Sequence, residues 1–381
     1  MKFVIAPDSF KGSLTARQAA NAIHEGLLRV FPDADYVLIP MADGGEGTVQ
    51  SLVDATHGQF LTVDVLDPFK RPTDARYGLL GNRNTAVIEM AAASGIQFMS
   101  EQTDPMTATT YGTGQLIFDA IHRGVDEIIL GIGGSATTDG GEGMAEALGV
   151  RFLNADGQPI KSGGGGLASL AHIDVSQVDP LLLKSHIRIA SDVVNPLVGP
   201  KGSAVVFGPQ KGATPAMVKT LDANLRHFAD VIKHDLGKSL ADYPGAGAAG
   251  GLGAGLLAFT NASMAKGIEI VVEMTDLKAR AQDAEYLITG EGAIDFQTQY
   301  GKTPIGTAQA AKAVDPDVTV IALAGNVGAG IDQLYDLGID AIFGILPAVV
   351  TLPKAIERAA DNLTQTAENV ARLIKRDGYR H

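Results

Sequence analysis

The stretch FVIAPDSFKGSLTARQAANAI, residues 3–23, decides how this chain folds. An apolar run breaks at Pro7 and places Asp8, Ser9 and Lys11 in a short turn. Beyond it Ala19, Ala20, Ile23, Leu27 and Val30 recur at helical spacing, and Thr15 is suited to cap the helix. A strand feeding an amphipathic helix opens a β-α unit, and such units build a parallel sheet covered on both faces. YVLIP at 36–40 supplies the next strand. The tail behaves alike, with EYLITG at 285–290, a helix over about 304–314, VTVIALAG at 318–325, DAIFGIL at 340–346 and a last helix over about 354–375.

The middle follows another rhythm. TVDVLDPFKRPTDARYGLL and NTAVIEM read as neighbouring strands joined by turns, which predicts a mixed sheet. At 381 residues the chain is long for one core, so two domains are expected. The fold class predicted is α/β: a doubly wound Rossmann-like parallel-sheet domain with an inserted α/β domain containing a mixed sheet. Residues 1–72 and 283–381 are assigned to the first and 73–282 to the second. A chain crossing twice between domains predicts an active site in a cleft lined from both sides.

Composition narrows the function classes. A formal net charge of −13 argues against a nucleic-acid partner, because counterion release needs a basic face. There is no cysteine, the apolar run at the start is short for a signal peptide, and no apolar run approaches the ~18 residues of a membrane span. A cytoplasmic protein without a membrane partner is expected, acting on a small molecule. The histidines are scattered without the spacing of a zinc site, and no Gly-x-Ser-x-Gly follows a strand.

Glycine turns carry the chemistry. In GIGGSATTDGGEGMAEALG, residues 131–149, glycines after the apolar EIIL let backbone N–H groups converge on an anion ahead of a helix. A tight connection without a ligand explains the same glycines. Gly131, Gly133 and Ala136 also match a loose dinucleotide fingerprint with Asp156 twenty residues beyond Ala136, although TTDGGEG delays the helix. YGKTPIG at 300–306 lacks the glycine of a nucleotide-gripping loop, since Phe296 stands in its place. Thr303 as cap, Pro304 as first helical residue and Lys302 beside them would nonetheless suit a phosphate. SGGGGLAS at 162–169 reads as a flexible loop, and PGAGAAGGLGAGLLAF at 244–259 as a lead into a closely packed helix.

Acidic residues follow the strands. Asp8 follows the first, Asp43 and Glu46 the second, Glu291 and Asp295 another, and Asp192 and Asn195 one in the middle segment. In a parallel sheet such positions emerge at the carboxyl edge, where these folds bind ligands. Gathered carboxylates repel one another, and Mg2+ together with phosphates would resolve the conflict, which points to phosphoryl transfer.

Taken in order, APDSFKGSL, ADGGEGT, IEMAAASG, GTGQLI, GIGGSATTDGG, NPLVG, FGPQKGA, PGAGAAGG, TGEG and GKTP resemble the bacterial glycerate kinases that phosphorylate the 2-hydroxyl, from Met1 to the last helix. The resemblance implies an ATP- and Mg2+-dependent kinase making 2-phosphoglycerate from D-glycerate. This chain has Ala293 where the family pattern commonly has Arg, Thr138 for Asn and Ser191 for Cys. The roles expected on this reading place Asp8 and Lys11 in the catalytic site, with Asp192 as candidate base. Ser9, Asn195 and Lys211 are expected to bind substrate, and Gly133, Gly134, Ser135, Thr137 and Lys302 the nucleotide. Asp43, Glu46, Asp139 and Asp295 are expected at the metal. A dinucleotide-dependent oxidoreductase acting on a small hydroxy acid, or a non-catalytic metabolite-binding regulator, are the alternatives. Oligomeric state is not set by the sequence.

Overall fold

The structure, a computed structural model, describes residues 1–99 and 104–377. In chain order its strands are β1 (Lys2–Ile5), β2 (Asp35–Leu38), β3 (Gln59–Leu66), β4 (Pro72–Leu79), β5 (Thr85–Glu89), β6 (Glu127–Gly131) and β7 (Arg151–Leu153). They continue as β8 (His172–Asp174), β9 (His186–Ala190), β10 (Ala262–Ala265), β11 (Tyr286–Ile294), β12 (Thr319–Val327) and β13 (Ala341–Gly344). Two compact units result, one of Met1–His57 with Lys266–His381 and one of Gly58–Ala265.

In the first unit an all-parallel sheet runs in the order β13, β12, β11, β1, β2. Its three central strands, β12, β11 and β1, are buried on both faces. Phe3, Ile5, Ile288, Ile321 and Leu323 pack under the helices Ala16–Leu28 and Ala359–Asp377, while Val4, Leu287, Val320 and Ala322 are buried at alternate positions. That double burial explains why the strands read as continuous apolar runs. Thr15 caps Ala16–Leu28 in a reciprocal capping box with Gln18. Gly26 lets this helix approach the last one, because a Cβ there would lie 2.3 Å from the carbonyl of Thr364. Counted within the unit, the strand order is 2-1-3-4-5, whose direction reverses between β1 and β11. Ligands of open α/β sheets bind at that reversal, beyond the carboxyl ends of the strands.

The second unit holds the mixed sheet β10, β9, β6, β5, β4, β3, in which β5, β6, β9 and β10 run parallel and β3 and β4 antiparallel. The boundaries fall at 57/58 and 265/266, not at 72 and 283. β3 pairs along its whole length with β4, so the hairpin stays with the second sheet. At the other end the helices Gly267–Met274 and Leu277–Arg280 pack against Thr303–Lys312 of the first unit. SGGGGLAS is also not the flexible loop its composition suggested. A Cβ on Gly164 would lie 2.2 Å from the carbonyl of Thr138 and one on Gly166 1.6 Å from that of Lys161, so these glycines serve close packing.

Candidate active site

The β1–β11 ladder positions the first group of residues. The N–H of Asp8 donates to the carbonyl of Gly290 at 2.8 Å, continuing the parallel register past the end of β1. The Asp8 carboxylate accepts from the Ser9 N–H and from the Thr303 hydroxyl. Asp8 is buried, and desolvation with the nearby Asp43 charge pushes its carboxyl up to about 6, against the lowering effect of those hydrogen bonds. Glu291, on β11 itself, accepts from the Thr298 hydroxyl at 2.9 Å. Burial raises its carboxyl to about 7, opposed by Lys302 and Thr298 and reinforced by Asp8 and Asp43. Three carboxylates therefore feel one another at the sheet's reversal point.

Asp43 is held by its own turn, accepting from the Gly45 N–H at 3.0 Å. Gly267 lies against it so closely that a Cβ there would meet the Asp43 carbonyl at 1.9 Å. Lys11 and Glu46 form a 3.4 Å ion pair, and both are largely exposed. With Ser9, Thr15 and Gln50 they line a cavity of about 280 Å³. Asp295 caps the short helix Phe296–Tyr300, accepting from the Gln297 N–H at 2.8 Å. Lys302, not Thr303, is the cap residue of Thr303–Lys312. The Thr303 hydroxyl is directed to Asp8 instead, a role its place at a helix start concealed.

The second group sits beyond β6 and β9, whose parallel register pairs Gly131 with Ala190. Gly133 and Gly134 are exposed while Ser135, Thr137, Thr138 and Asp139 are buried. Asp192 is exposed past the end of β9. The Asp139 carboxylate accepts from Thr110 N–H at 2.7 Å, Thr110 hydroxyl at 2.8 Å, Gly141 N–H at 3.1 Å and Gly143 N–H at 3.2 Å. It organises the loop from inside. Lys211, at 1% exposure, donates to the Ser135 hydroxyl and the Thr137 carbonyl, both at 2.6 Å. Burial lowers its ammonium to about 7, with Asp139 acting in the opposite direction. Asn195 donates to the Lys201 carbonyl at 2.8 Å and accepts through its own carbonyl from Gly245 and Gly247, tying down the 244–259 glycine tract.

Of the metal set expected from sequence, Glu46 pairs with Lys11 and Asp295 caps a helix in the first unit, and Asp139 in the second unit accepts from loop donors. Among the described residues no three histidine, aspartate or glutamate side chains cluster to hold a metal by themselves. Glu291 and Thr303 join the first group of residues, although sequence reasoning gives them only a strand-end position and a helix cap. For Glu291 the usable signal was its place in TGEG at a strand's carboxyl end.

The dinucleotide reading fails on topology. It needs a second parallel strand beside β6, but β7 pairs antiparallel with β8 in a separate two-stranded sheet. Asp156 lies in the exposed turn after β7, its N–H donating to Asn154.

The fold is that of a two-unit α/β protein with carboxylates at the switch point of one sheet and a glycine turn beyond the other. The chain belongs to the glycerate kinase family, whose model matches residues 3–375. It is 55% identical to a glycerate kinase of Halalkalibacterium halodurans over 97% of both chains, and 48% identical to a glycerate 2-kinase of Escherichia coli over 98% of both. A crystal structure bearing the name glycerate kinase 2, from Salmonella typhimurium LT2, superposes with a TM-score of 0.92 at 48% identity, covering 100% of this chain and 99% of that one. The chain is an enzyme of this class, a kinase acting on glycerate. Among the described residues no helix is long and apolar enough to cross a membrane.

Proposed function

We propose that the enzyme transfers the γ-phosphoryl group of ATP to the 2-hydroxyl of D-glycerate, giving 2-phosphoglycerate and ADP. The observation that carries this reading is Asp8, a buried carboxylate raised to about 6 and aimed by Thr303 and Ser9 at the sheet's reversal point. A base with that affinity is ionised at neutral pH and still able to take a proton. The hydroxyl oxygen forms a bond to the γ-phosphorus, the bond from that phosphorus to the β-bridging oxygen breaks, and the proton passes to Asp8. Asp192, exposed at the carboxyl edge of the other sheet, is the second candidate for the base.

Lys11 and Ser9 line the cavity of about 280 Å³, a volume suited to a three-carbon acid, and are assigned to glycerate. Lys302 and the loop residues Gly133, Gly134 and Ser135 are assigned to anionic oxygens. Asp43 and Glu291 are the residues that would hold Mg2+, because the burial and charge repulsion that raise Glu291 would be relieved by a cation. Water and phosphate oxygens would supply its other ligands, since Mg2+ needs only one or two carboxylates. When bound it would neutralise charge between the β- and γ-phosphates. The name glycerate 2-kinase carried by the Escherichia coli relative supports the 2-position.

Incubation with ATP, Mg2+ and D-glycerate followed by phosphorus NMR tests the reading. A 2-phosphoglycerate resonance is expected. The 3-phosphate would overturn the assigned position, and no phosphoglycerate at all would overturn the reaction.

A further inference from the structure

Lys211 is a poor candidate for direct contact with a ligand, since its side chain is sealed under the loop that follows β6. Its two contacts are informative because an ammonium only donates. While Lys211 carries its proton, the form that prevails below about pH 7, the Ser135 hydroxyl accepts from it at 2.6 Å. A hydroxyl that accepts in this way keeps its own proton for another partner, directed away from the ammonium. The second contact, to the Thr137 carbonyl at 2.6 Å, fixes the chain two residues further on. Asp139 faces Lys211 as the opposite charge and is itself saturated by loop donors. A buried lysine and a buried aspartate thus hold the two halves of one loop. At its exposed tip the Gly134 carbonyl accepts from Ile96, and the Ala136 N–H donates to Ser94. The N–H groups of Gly133, Gly134 and Ser135 meet no acceptor among the described residues.

We propose that Lys211 is a positioning residue that makes Gly133, Gly134 and Ser135 an all-donor cradle for one anionic group, by obliging the Ser135 hydroxyl to donate outward. The inference rests on the phosphoryl-transfer reading and sharpens it. The ligand chemistry is a carboxylate or phosphate oxygen, supplied by glycerate or by the nucleotide. Lys211 never touches it.

The test measures kcat and the KM for each substrate in Ser135→Ala, Lys211→Met and the double variant, with Tm as a control. Ser135→Ala should raise one KM about tenfold, as loss of one hydrogen bond to a charged group does, with kcat within about twofold. A rise for D-glycerate identifies the carboxylate as occupant, and a rise for ATP identifies a phosphate. Lys211→Met should raise the same KM, and the double variant should be no worse than Lys211→Met alone. Unchanged KM values in Ser135→Ala, or rises that multiply in the double variant, would overturn the proposal. Should Lys211→Met fail to fold, Ser135→Ala decides by itself. If the wild type made no phosphoglycerate, the reaction would fall separately. Thermal-shift titration of wild type and Ser135→Ala with inorganic phosphate would then decide the cradle, equal shifts overturning it and a smaller shift in the variant supporting it.

Discussion

The hydroxyl of Thr303 donates to a carboxylate oxygen of Asp8, joining residues 295 positions apart in the chain. The contact exists because β11 lies beside β1, so the turn after one strand meets the helix that follows the other. It lowers the proton affinity of a carboxyl that burial and Asp43 raise, and so helps to keep Asp8 ionised near neutrality.

Thr303→Val removes that donor. The Asp8 carboxyl should rise further above about 6, and the acidic limb of the kcat/KM profile should move toward alkaline pH by roughly 0.5–1 unit, the worth of one hydrogen bond. Activity is lost below the limb because a protonated carboxyl cannot accept the hydroxyl proton. Thr303→Ser should restore the profile. A limb that stays in place in the Val variant would show that another group titrates.

Asp192→Asn changes an exposed residue beyond β9, so Tm should move by less than the equivalent of ~0.5 kcal/mol. A fall in kcat of about a hundredfold or more would mark Asp192 as a base, given the usual contribution of such a group. Unchanged turnover would leave Asp8 alone in that role.

Glu291→Gln tests the energetic burden of the acidic cluster. The folded carboxyl, at about 7, lies above its ordinary value of 4.5, so the folded state binds more protons between those pH values. Stability contributed by this group therefore falls as pH rises through that interval. The Gln variant, which keeps an oxygen for Thr298, should be more stable than wild type at pH 8, by on the order of 1–3 kcal/mol, and no more stable at pH 4. Thermal unfolding at the two pH values measures it. A loss of stability at pH 8 would contradict the raised affinity.

Gly250→Ala should destabilise the protein by about 2–4 kcal/mol, because its Cβ would lie 1.8 Å from the Thr137 carbonyl at a residue with φ of +73°. Gly237→Ala provides the contrast. There φ is +71° with nothing within 4 Å, so only the conformational cost of about 1 kcal/mol is expected. Denaturant midpoints of the two variants separate steric from backbone effects. Equal losses would mean that the approach of Gly250 to Thr137 is relieved without cost.

Much of the fold was legible along the chain. Phe3, Val4 and Ile5 read as a strand buried on both faces, the 3.6-residue spacing of Ala19, Ile23 and Leu27 read as a helix with Thr15 as its cap, and both are present. Periodicity and capping involve residues within a turn or two, so the linear order contains them. The candidate site was legible only as a set of loops. Asp8, Asp43 and the 133–135 glycine turn stood out because strand ends announce themselves locally. That Thr303 would answer Asp8, that Lys211 would lie sealed beneath Ser135, and that Asp139 would be saturated by Thr110, Gly141 and Gly143 were decided by strand order and by the approach of glycine tracts far apart in sequence. Burial and charge environment are sums over such distant neighbours. Residue type and spacing therefore determined which groups stand at the carboxyl edges, and tertiary packing alone decided which of them share a proton, a hydrogen bond or a buried charge.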